Sequence, residues 1–354
     1  EPFTVILDNT WLGCPWTGAF DGAVRMVLRN GSRIEKNGAC YNHGFGNQIK
    51  GLARIEVETG CVFDFTSGSG SLNLAGSTSE SSITVKDGGV YMPANVYGTG
   101  KMSFISEDGV VAVGKKGASY SALFTGFGTV EIPEGKTLTI RSSSSGGGGS
   151  SDWNRLLKTA SAAVFTGAGD VVVSNGYLSS IFHLTMTGKA NTCTGSISVD
   201  DPPEGANEMA LFFDNGANWA GTVRSTGYMA TTNTADAAST ASVSFGALQL
   251  QRGTLRLRGL RDAETGAIAI DQVNLASPLV RESGDKGMVA ITEVAFGERD
   301  TAVLGTAPAQ AWQGARFTDA AGNRLSTKES EPDPDTGLVT VSIGRFVGTL
   351  LILR

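Results

Sequence analysis

Residues 124–130 read FTGFGTV, and residues 165–171 read FTGAGDV, the same phrase 41 positions later. In both copies a second turn follows, at Gly135 and at Gly176. Each copy therefore predicts a glycine turn, a short strand, another turn and another strand. A phrase that returns at such a period is typical of repeat architectures, in which neighbouring units stack and share one core.

Short strands are predicted along most of the chain, because two apolar residues repeatedly flank one polar residue. Alternation with a period of two indicates a strand that is buried on one face. Spacing of this kind fits a β-solenoid or a β-sandwich. We predict an all-β chain folded as a right-handed parallel β-solenoid (β-helix), with a β-sandwich as the alternative. The triplets are Ile55–Val57, Leu72–Leu74, Ile83–Val85, Val130–Ile132, Leu138–Ile140, Leu184–Met186, Ile197–Val199, Val243–Phe245, Leu248–Leu250 and Leu255–Leu257.

Composition agrees with an all-β architecture and excludes several functions. Glycine makes up 48 of 354 residues, about twice the average share. The charged fraction is 18% and the net charge is -6, with no basic cluster that would bind nucleic acid. No apolar run reaches the length of about 18 residues that a membrane helix needs, so no membrane span is expected.

Changes in composition and strand pattern divide the chain into three predicted parts. Residues 1–50 are predicted to form an N-terminal cap, residues 51–282 the β-solenoid, and residues 283–354 a divergent capping segment that ends in a β-hairpin. The hairpin would join strands at 338–343 and 349–353. Two interruptions are expected inside the solenoid: a helix at 152–158 (DWNRLLK), and a long loop or weak helix at 228–241.

Cysteines and tryptophans near the start of the chain suggest a stapled cap. Cys14 and Cys40 are candidates for a disulfide, and buried free thiols are the alternative. The four cysteines match no zinc pattern, so no metal site and no cofactor are predicted. Trp11 and Trp16 flank Cys14, where they would either stack on sugar rings or pack inside the cap.

Charged candidates are sparse. Arg256 and Arg258 would lie on one face of one strand and could bind an acidic sugar, although ordinary surface ion pairs with nearby Asp262 and Glu264 are the alternative. Neither His43 nor His183 accompanies a nucleophile motif, so no catalytic residue is predicted. Asp200–Asp201 is predicted to lie in an exposed turn, and Asp333 and Asp335 could bind calcium but lack the repeated carboxylate spacing of a dedicated site.

The FTGxGxV phrases, with NWAGTV at 218–223 and GTLRL at 253–257, resemble autotransporter-associated β-strand repeats. The resemblance spans about residues 50–280 and departs from those repeats in its irregular spacing. Such repeats occur in bacterial surface and secreted proteins with right-handed β-helical passenger regions. The resemblance implies a secreted or cell-surface bacterial location and an adhesive or structural role.

The function expected from these features is an extracellular or cell-surface structural and adhesive module. Its partners would be a glycan or copies of itself, in a homo-oligomer or filament. The alternative is a carbohydrate-active β-helix enzyme, a polysaccharide lyase or glycoside hydrolase, which would need paired carboxylates on one face.

Overall fold

A computed structural model describes residues 3–14, 20–21, 23–36, 49–50, 52–64, 72–73, 78–93, 96–97, 101–113, 123–142, 157–158, 163–174, 182–188, 191–199, 209–281, 284 and 287–345. The chain divides into two compact units, Glu1–Leu211 (unit 1) and Phe212–Arg354 (unit 2). Each unit is treated by itself below. The described residues form strands and turns without a helix, so the all-β prediction is confirmed.

Unit 1 consists of short strands that follow one another closely. They are β1 (Phe3–Asp8), β2 (Trp11–Cys14), β3 (Phe20–Asp21), β4 (Val24–Arg29), β5 (Arg33–Lys36), β6 (Ile49–Lys50), β7 (Ala53–Val57), β8 (Val62–Asp64), β9 (Leu72–Asn73), β10 (Ser82–Lys86), β11 (Val90–Met92), β12 (Val96–Tyr97), β13 (Met102–Glu107), β14 (Gly109–Val113), β15 (Phe127–Ile132), β16 (Thr137–Ser142), β17 (Leu157–Lys158), β18 (Val164–Gly167), β19 (Asp170–Ser174), β20 (Phe182–Met186) and β21 (Ile197–Val199).

Two parallel sheets organise unit 1. Sheet I has the order β1-β4-β7-β10-β13-β15-β18, and sheet II has the order β2-β5-β8-β11-β14-β16-β19-β21. The chain adds a strand to sheet I and then a strand to sheet II, pass after pass. Shorter parallel pairs are β3 with β6, β9 with β12 and β17 with β20. Parallel pairing differs from the antiparallel pairing of an immunoglobulin-like sandwich, the class of fold behind the alternative prediction.

The core of unit 1 lies on the inward face of both sheets, where alternate residues of each strand are buried. In sheet I, Met26 pairs with Ile55 and Ile55 with Ile83, and all three are at most 3% exposed. Aromatic rings pack in sheet II, where Phe63 pairs with Tyr91, and from Tyr91 across the core to Phe104 of sheet I. Ring centroids lie 6.2 Å apart for Phe63 and Tyr91 and 5.5 Å apart for Tyr91 and Phe104, a spacing at which tilted rings attract one another.

Two glycines are required where successive passes of the chain meet. A Cβ atom built on Gly195 would lie 2.0 Å from the main-chain oxygen of Gly169. One built on Gly169 would lie 2.3 Å from the oxygen of Pro133. No larger residue fits at either position without moving the backbone, because real Cβ atoms do not approach so closely.

Unit 2 has longer strands and two kinds of pairing. Strand β22 (Met209–Asp214) includes the boundary between the units, and the strands that follow are β23 (Asn218–Ser225), β24 (Tyr228–Thr232), β25 (Ser242–Gln249), β26 (Thr254–Arg261), β27 (Ile268–Ile270), β28 (Gln272–Leu275), β29 (Met288–Thr292), β30 (Thr301–Ala307), β31 (Phe317–Thr318), β32 (Arg324–Glu329) and β33 (Val339–Gly344).

Sheet III of unit 2 begins parallel and ends antiparallel. Its order is β24-β26-β29-β31-β32-β33-β30, and the pairs from β31 onward are antiparallel. Strand β27 folds back antiparallel on β26. Sheet IV contains β23, β25 and β28 in parallel order. Each of the predicted apolar triplets lies wholly or mostly in a strand, except that only two residues of 72–74 are described.

The repeated phrase does not mark equivalent positions. Alignment of the two copies would match Val130 with Val171, but Val130 in β15 pairs with Phe165 in β18. Val171 belongs to β19 of sheet II, where it pairs with Leu138. Glycine turns followed by short strands recur throughout this unit, which explains why the two copies are similar. The phrase therefore predicts a local turn and strand, but it does not predict which strands pair.

Of the two predicted interruptions, the loop is confirmed over residues 233–241, whereas residues 157–158 and 228–232 form strands instead. Leu157 and Lys158, the end of the predicted helix, form strand β17, and residues 151–156 lie outside the described part. Residues 228–232, expected in a loop or weak helix, form β24, because an adjacent strand supplies their pairing. The predicted strand at 338–343 corresponds to β33, and 349–353 lies outside the described residues.

Candidate functional site

The outward face of sheet III carries the two arginines that the sequence singled out. In β26, Leu255 and Leu257 are fully buried, while Arg256 is exposed and Arg258 is half-buried on the opposite face. This alternation is the ordinary consequence of a strand that packs one side on a core. Sheet III therefore holds both guanidinium groups outward.

Arg256 lies over an aromatic ring. Its Cζ atom is 4.3 Å from the centroid of the Tyr228 ring. The Tyr228 ring in turn meets Phe212 edge-on, with centroids 5.9 Å apart and an angle of 86° between the rings. A guanidinium over an aromatic face is held by the ring's quadrupole, which orients it without neutralising its charge. The group remains able to bind an anion.

Strand register brings further arginines to the same face. One row across sheet III runs from Ala230 to Arg256, Ala290, Thr318 and Arg324, each paired with the next. Small residues thus separate Arg256 from Arg324 across three strand spacings, about 14 Å. Arg316 directly precedes β31 and is exposed, and its main-chain oxygen accepts a hydrogen bond from Val289. We call Tyr228, Arg256, Arg316 and Arg324 the arginine face.

Within the described residues, no ion pair balances the charge of this face. Between β24 and β32, the row that contains Arg256 and Arg324 has no carboxylate. Within the described residues, none of Arg256, Arg316 and Arg324 forms an ion pair. The net charge of the chain is -6, so this patch has the opposite sign to the molecule as a whole. Such a patch attracts acidic ligands.

Arg258 has a structural role. Its two terminal nitrogens donate hydrogen bonds to the main-chain oxygens of Ala237, at 2.7 Å, and of Ser239. Below it, the fully buried carboxylate of Asp271 accepts hydrogen bonds from the main-chain nitrogen of Arg258 and the hydroxyl of Thr231, at 3.0 and 2.6 Å. Arg258 is therefore engaged with the loop that follows β24, and Arg256 is the more accessible of the pair.

Asp262 and Glu264, the acidic residues expected to pair with these arginines, lie in a turn that Asp262 stabilises. One oxygen of Asp262 accepts hydrogen bonds from the main-chain nitrogens of Glu264 and Thr265 and from the Thr265 hydroxyl. These hydrogen bonds lower the pKa of Asp262 below its usual value. Arg261 pairs instead with Asp300, at 2.6 Å. The sequence alternative of ion pairs between Arg256 or Arg258 and Asp262 or Glu264 does not appear among the described contacts.

A shallow groove adjoins the arginine face. It is lined by residues that include Leu250, Leu279, Val280, Arg281, Met288 and Arg316. Val280 is 41% exposed, so the floor offers apolar surface to a ligand while Arg316 offers charge at its border. The groove has room for about one water molecule, so it adds apolar surface beside Arg316 and does not enclose a ligand.

The tryptophan and cysteine candidates belong to unit 1. Trp11 in edge strand β2 is 70% exposed and pairs with Arg33, so it is not packed inside a cap. Trp16 and Cys40 lie outside the described residues, and Cys14 is described only as part of β2. Cys61 and Cys193 are buried free thiols, and burial raises the pKa of both. A raised pKa keeps them protonated and unreactive.

The remaining candidates are the histidines and the aspartates that the sequence singled out. His183 lies in β20, whereas His43 and Asp200–Asp201 lie outside the described part. One oxygen of Asp333 accepts hydrogen bonds from the main-chain nitrogens of Asp335 and Thr336, which closes a turn. No group of three or more acidic, histidine or cysteine residues with metal-binding geometry occurs in the described ranges. The same ranges contain no helix long and apolar enough to cross a membrane.

Sequence reasoning found Arg256 but missed the rest of the arginine face. Tyr228 was expected in a loop or weak helix, and Arg316 and Arg324 lie two and three strands away from Arg256 along the sheet. Only register places them together, and no local pattern reveals register between distant segments. No protein-family model, no curated protein and no solved structure matches this chain.

Proposed function

We propose that this chain is an extracellular or cell-surface structural and adhesive module, built as a right-handed parallel β-solenoid, which binds an acidic glycan on the arginine face. The observation that carries the proposal is the row from Arg256 to Arg324 on the outward face of sheet III, with Tyr228 beneath Arg256. The bacterial surface location follows from the resemblance to autotransporter-associated repeats and is part of the proposal.

The solenoid is supported by how unit 1 adds its strands. Each pass contributes a strand to sheet I and the next to sheet II, and some passes contribute a third strand to one of the short parallel pairs. Parallel partners in sheets I and II lie about 20 to 35 residues apart, within the usual period of repeat proteins. A right-handed coil is expected because crossovers between parallel strands are right-handed in about 98% of cases.

An acidic glycan suits the arginine face for three reasons. Guanidinium groups bind carboxylate and sulfate oxygens in pairs of parallel hydrogen bonds. Only the small side chains of Ala290 and Thr318 lie between Arg256 and Arg324 in this row, so an extended chain can lie across it. Because Arg256 and Arg324 are about 14 Å apart, a polymer can reach both whereas a single sugar cannot. We therefore expect a polyuronate or a sulfated polysaccharide.

The test is binding of polygalacturonate, with neutral dextran as the matched polymer, measured by calorimetry at low and at higher salt. Arg256→Gln is expected to weaken polygalacturonate binding about tenfold, and Arg316→Gln and Arg324→Gln about threefold each. Salt should weaken binding by the wild type most, since its surface charges are screened.

Arg224→Gln is the control, because Arg224 is an exposed arginine of β23 in sheet IV. Its loss removes the same charge from the chain and should leave polygalacturonate binding unchanged. The proposal is wrong if dextran binds as well as polygalacturonate, or if Arg224→Gln weakens binding as much as Arg256→Gln. Absence of measurable binding to polygalacturonate and to chondroitin sulfate would also contradict it.

A further inference from the structure

A further basic side chain lies on the outward face of sheet III, close to the arginine face. Residues of β32 alternate between core and solvent, so that Leu325 is buried while Arg324 and Lys328 are exposed. Lys328 pairs with Ser342 of β33, whose two neighbours in that strand are fully buried, so Ser342 also faces outward. Within the described residues, Lys328 forms no ion pair. Its charge is therefore available to a ligand.

Strand register places Arg256, Arg316 and Lys328 almost on one straight line across sheet III, which we call the basic line. Arg316 is two residues before Thr318, which shares a row with Arg256. Lys328 is four residues after Arg324, the next member of that row. Because β31 and β32 are antiparallel, Arg316 and Lys328 lie on the same side of the row.

The length of the basic line follows from the dimensions of a sheet. Neighbouring strands are about 4.8 Å apart, and each residue advances a strand by about 3.4 Å. The Cα atoms of Arg256 and Arg316 are then about 12 Å apart, those of Arg316 and Lys328 about 8 Å, and those of Arg256 and Lys328 about 20 Å. Since the two shorter distances together equal the longest, the three residues are nearly collinear.

The side chains between these cations carry no charge. Met288 lies close to the basic line between Arg256 and Arg316, where it is half-buried. Ser326 is exposed beside the line between Arg316 and Lys328. A pyranose ring has an apolar face and hydroxyl groups at its edge, which suit a thioether and a hydroxyl, while its carboxylate suits the cations. The surface along the line is therefore compatible with an acidic sugar chain.

Acidic groups lie beyond both ends of the basic line. Glu331 is exposed in the loop that follows Lys328 and the end of β32. Beyond β24, at the Arg256 end, the carboxylate of Asp214 accepts hydrogen bonds from the main-chain nitrogen and the hydroxyl of Thr234. Because like charges repel, these carboxylates disfavour an acidic chain outside the interval between Arg256 and Lys328.

We propose that the acidic polysaccharide lies along the basic line and that Lys328 binds it together with Arg256 and Arg316. This inference rests on the proposed function, because it assigns a path and a minimum length to the same ligand. A 1,4-linked pyranose lengthens an extended chain by roughly one strand spacing, so a ligand that reaches from Arg256 to Lys328 has at least about five sugars. The ligand class is therefore a linear polyuronate block of that length or longer.

The row from Arg256 to Arg324 is the competing path. It offers two cations, whereas the basic line offers three, and each additional contact within one bound chain multiplies the affinity. Arg324 lies about 10 Å to one side of the basic line, close enough to attract the chain through its charge. Lys328 distinguishes the two paths, because it belongs only to the basic line.

Oligogalacturonates of three, six and ten sugars test the length of the site by calorimetry on the full chain. The trimer can span Arg316 and Lys328 but cannot reach Arg256 as well. We therefore expect the hexamer to bind at least about tenfold more tightly than the trimer. The decamer should bind within about threefold of the hexamer, because carboxylates flank the line at both ends.

Substitution of Lys328 tests the path. Lys328→Gln should weaken hexamer binding about threefold and trimer binding less, because a trimer can bind elsewhere on the arginine face. Lys328→Arg keeps the charge and should bind the hexamer like the wild type. Lys101→Gln is the matched control, since Lys101 is an exposed lysine of unit 1 just before β13, and it should change neither affinity.

The inference is overturned if the hexamer gains no more than the larger number of ways in which a longer chain can be placed. It is also overturned if Lys328→Gln binds the hexamer as Lys101→Gln does. In both cases polygalacturonate binding that weakens in Arg256→Gln would leave the proposed function standing. Absence of polygalacturonate binding by the wild type would overturn the proposed function and this inference together.

Discussion

Strands β1 and β33 differ in the number of neighbours that they have within the described residues. Ile6 in β1 has a strand on one side and is 51% exposed. Ile343 in β33 lies between β30 and β32, paired with Ala302 and Thr327, and is fully buried. A parallel strand must pair with a segment that is distant in the sequence, whereas an antiparallel strand can pair with the next strand of a hairpin. Strand β33 is therefore an inner strand of sheet III, which ends at β30, whereas β1 is the outermost described strand of sheet I.

The same substitution in these two strands should have very different effects, and this is the largest effect we expect. Ile343→Ala removes packing from a fully buried site and should lower the free energy of unfolding by about 3 kcal/mol. Ile6→Ala in β1, where the side chain is half exposed, should cost about 0.5 kcal/mol. Urea denaturation at low protein concentration, with hydrogen exchange to locate the loss, would measure both. Equal losses would refute the contrast between the strands.

The turn that leads into the antiparallel part of sheet III should respond to pH. Asp319 is buried, and its carboxylate accepts hydrogen bonds from the Asn323 side chain and from the main-chain nitrogens of Phe296, Ala321 and Asn323. Burial acts to raise the pKa of Asp319, but these hydrogen bonds outweigh it and hold the pKa below its usual value.

A lowered pKa stabilises the fold above the unfolded-state pKa of about 4, and this stabilisation is lost as pH falls through the folded-state value. Asp319→Asn should therefore cost about 2 kcal/mol at pH 7, and the difference from the wild type should shrink below pH 4. Urea denaturation as a function of pH measures this. A difference that stays constant from pH 7 to pH 2 would contradict the role given to the carboxylate.

The smallest effect concerns the inner strands of sheet I, which have neighbours on both sides. Glu56 on β7 accepts hydrogen bonds from Arg25 of β4, at 2.8 Å, and Lys86 of β10, at 3.0 Å. Glu56→Gln should cost about 1 kcal/mol, with a smaller loss at high salt. Glu131→Gln is the control, since Glu131 is an exposed residue of the same sheet and should change stability little. Thermal melting at two salt concentrations would distinguish them.

The pKa of Glu56, like that of Asp319, is shifted below its usual value. Partial burial acts to raise it, and the hydrogen bonds and charges of Arg25 and Lys86 lower it further than burial raises it. The contribution of Glu56 is thus present above about pH 4 and lost on acidification. An equal loss in Glu131→Gln would mean that these ion pairs do not hold the inner strands together.

Much of the secondary structure could be predicted from the sequence, because strand alternation is a local property. The triplet Leu255–Leu257 predicted both a strand and the outward position of Arg256, and the structure has both. The segment 228–232 was misassigned, since its alanine and threonine residues have no clear period. Its strand conformation depends on pairing with β26, which no window of the sequence contains.

The candidate site was predictable only in part, for the same reason. Arg256 and Arg258 are close in sequence and share a strand, but Arg258 is engaged by the main chain of Ala237 and Ser239. Arg324 joins Arg256 only because two intervening strands place them in one row. The repeated FTG phrase shows the opposite case. Its two copies are similar in sequence, but strand pairing does not place their matching residues side by side.

The sequence by itself determined that this chain is all-β, with short strands, inward apolar residues and glycine where the backbone turns or approaches itself. These properties depend on φ, ψ and side-chain alternation within a few residues. The tertiary structure decided which strands are parallel or antiparallel, which strands have neighbours on both sides, and which arginines share a face. Those features depend on register between segments that are tens of residues apart, where the free energy of the whole core selects one alignment among many.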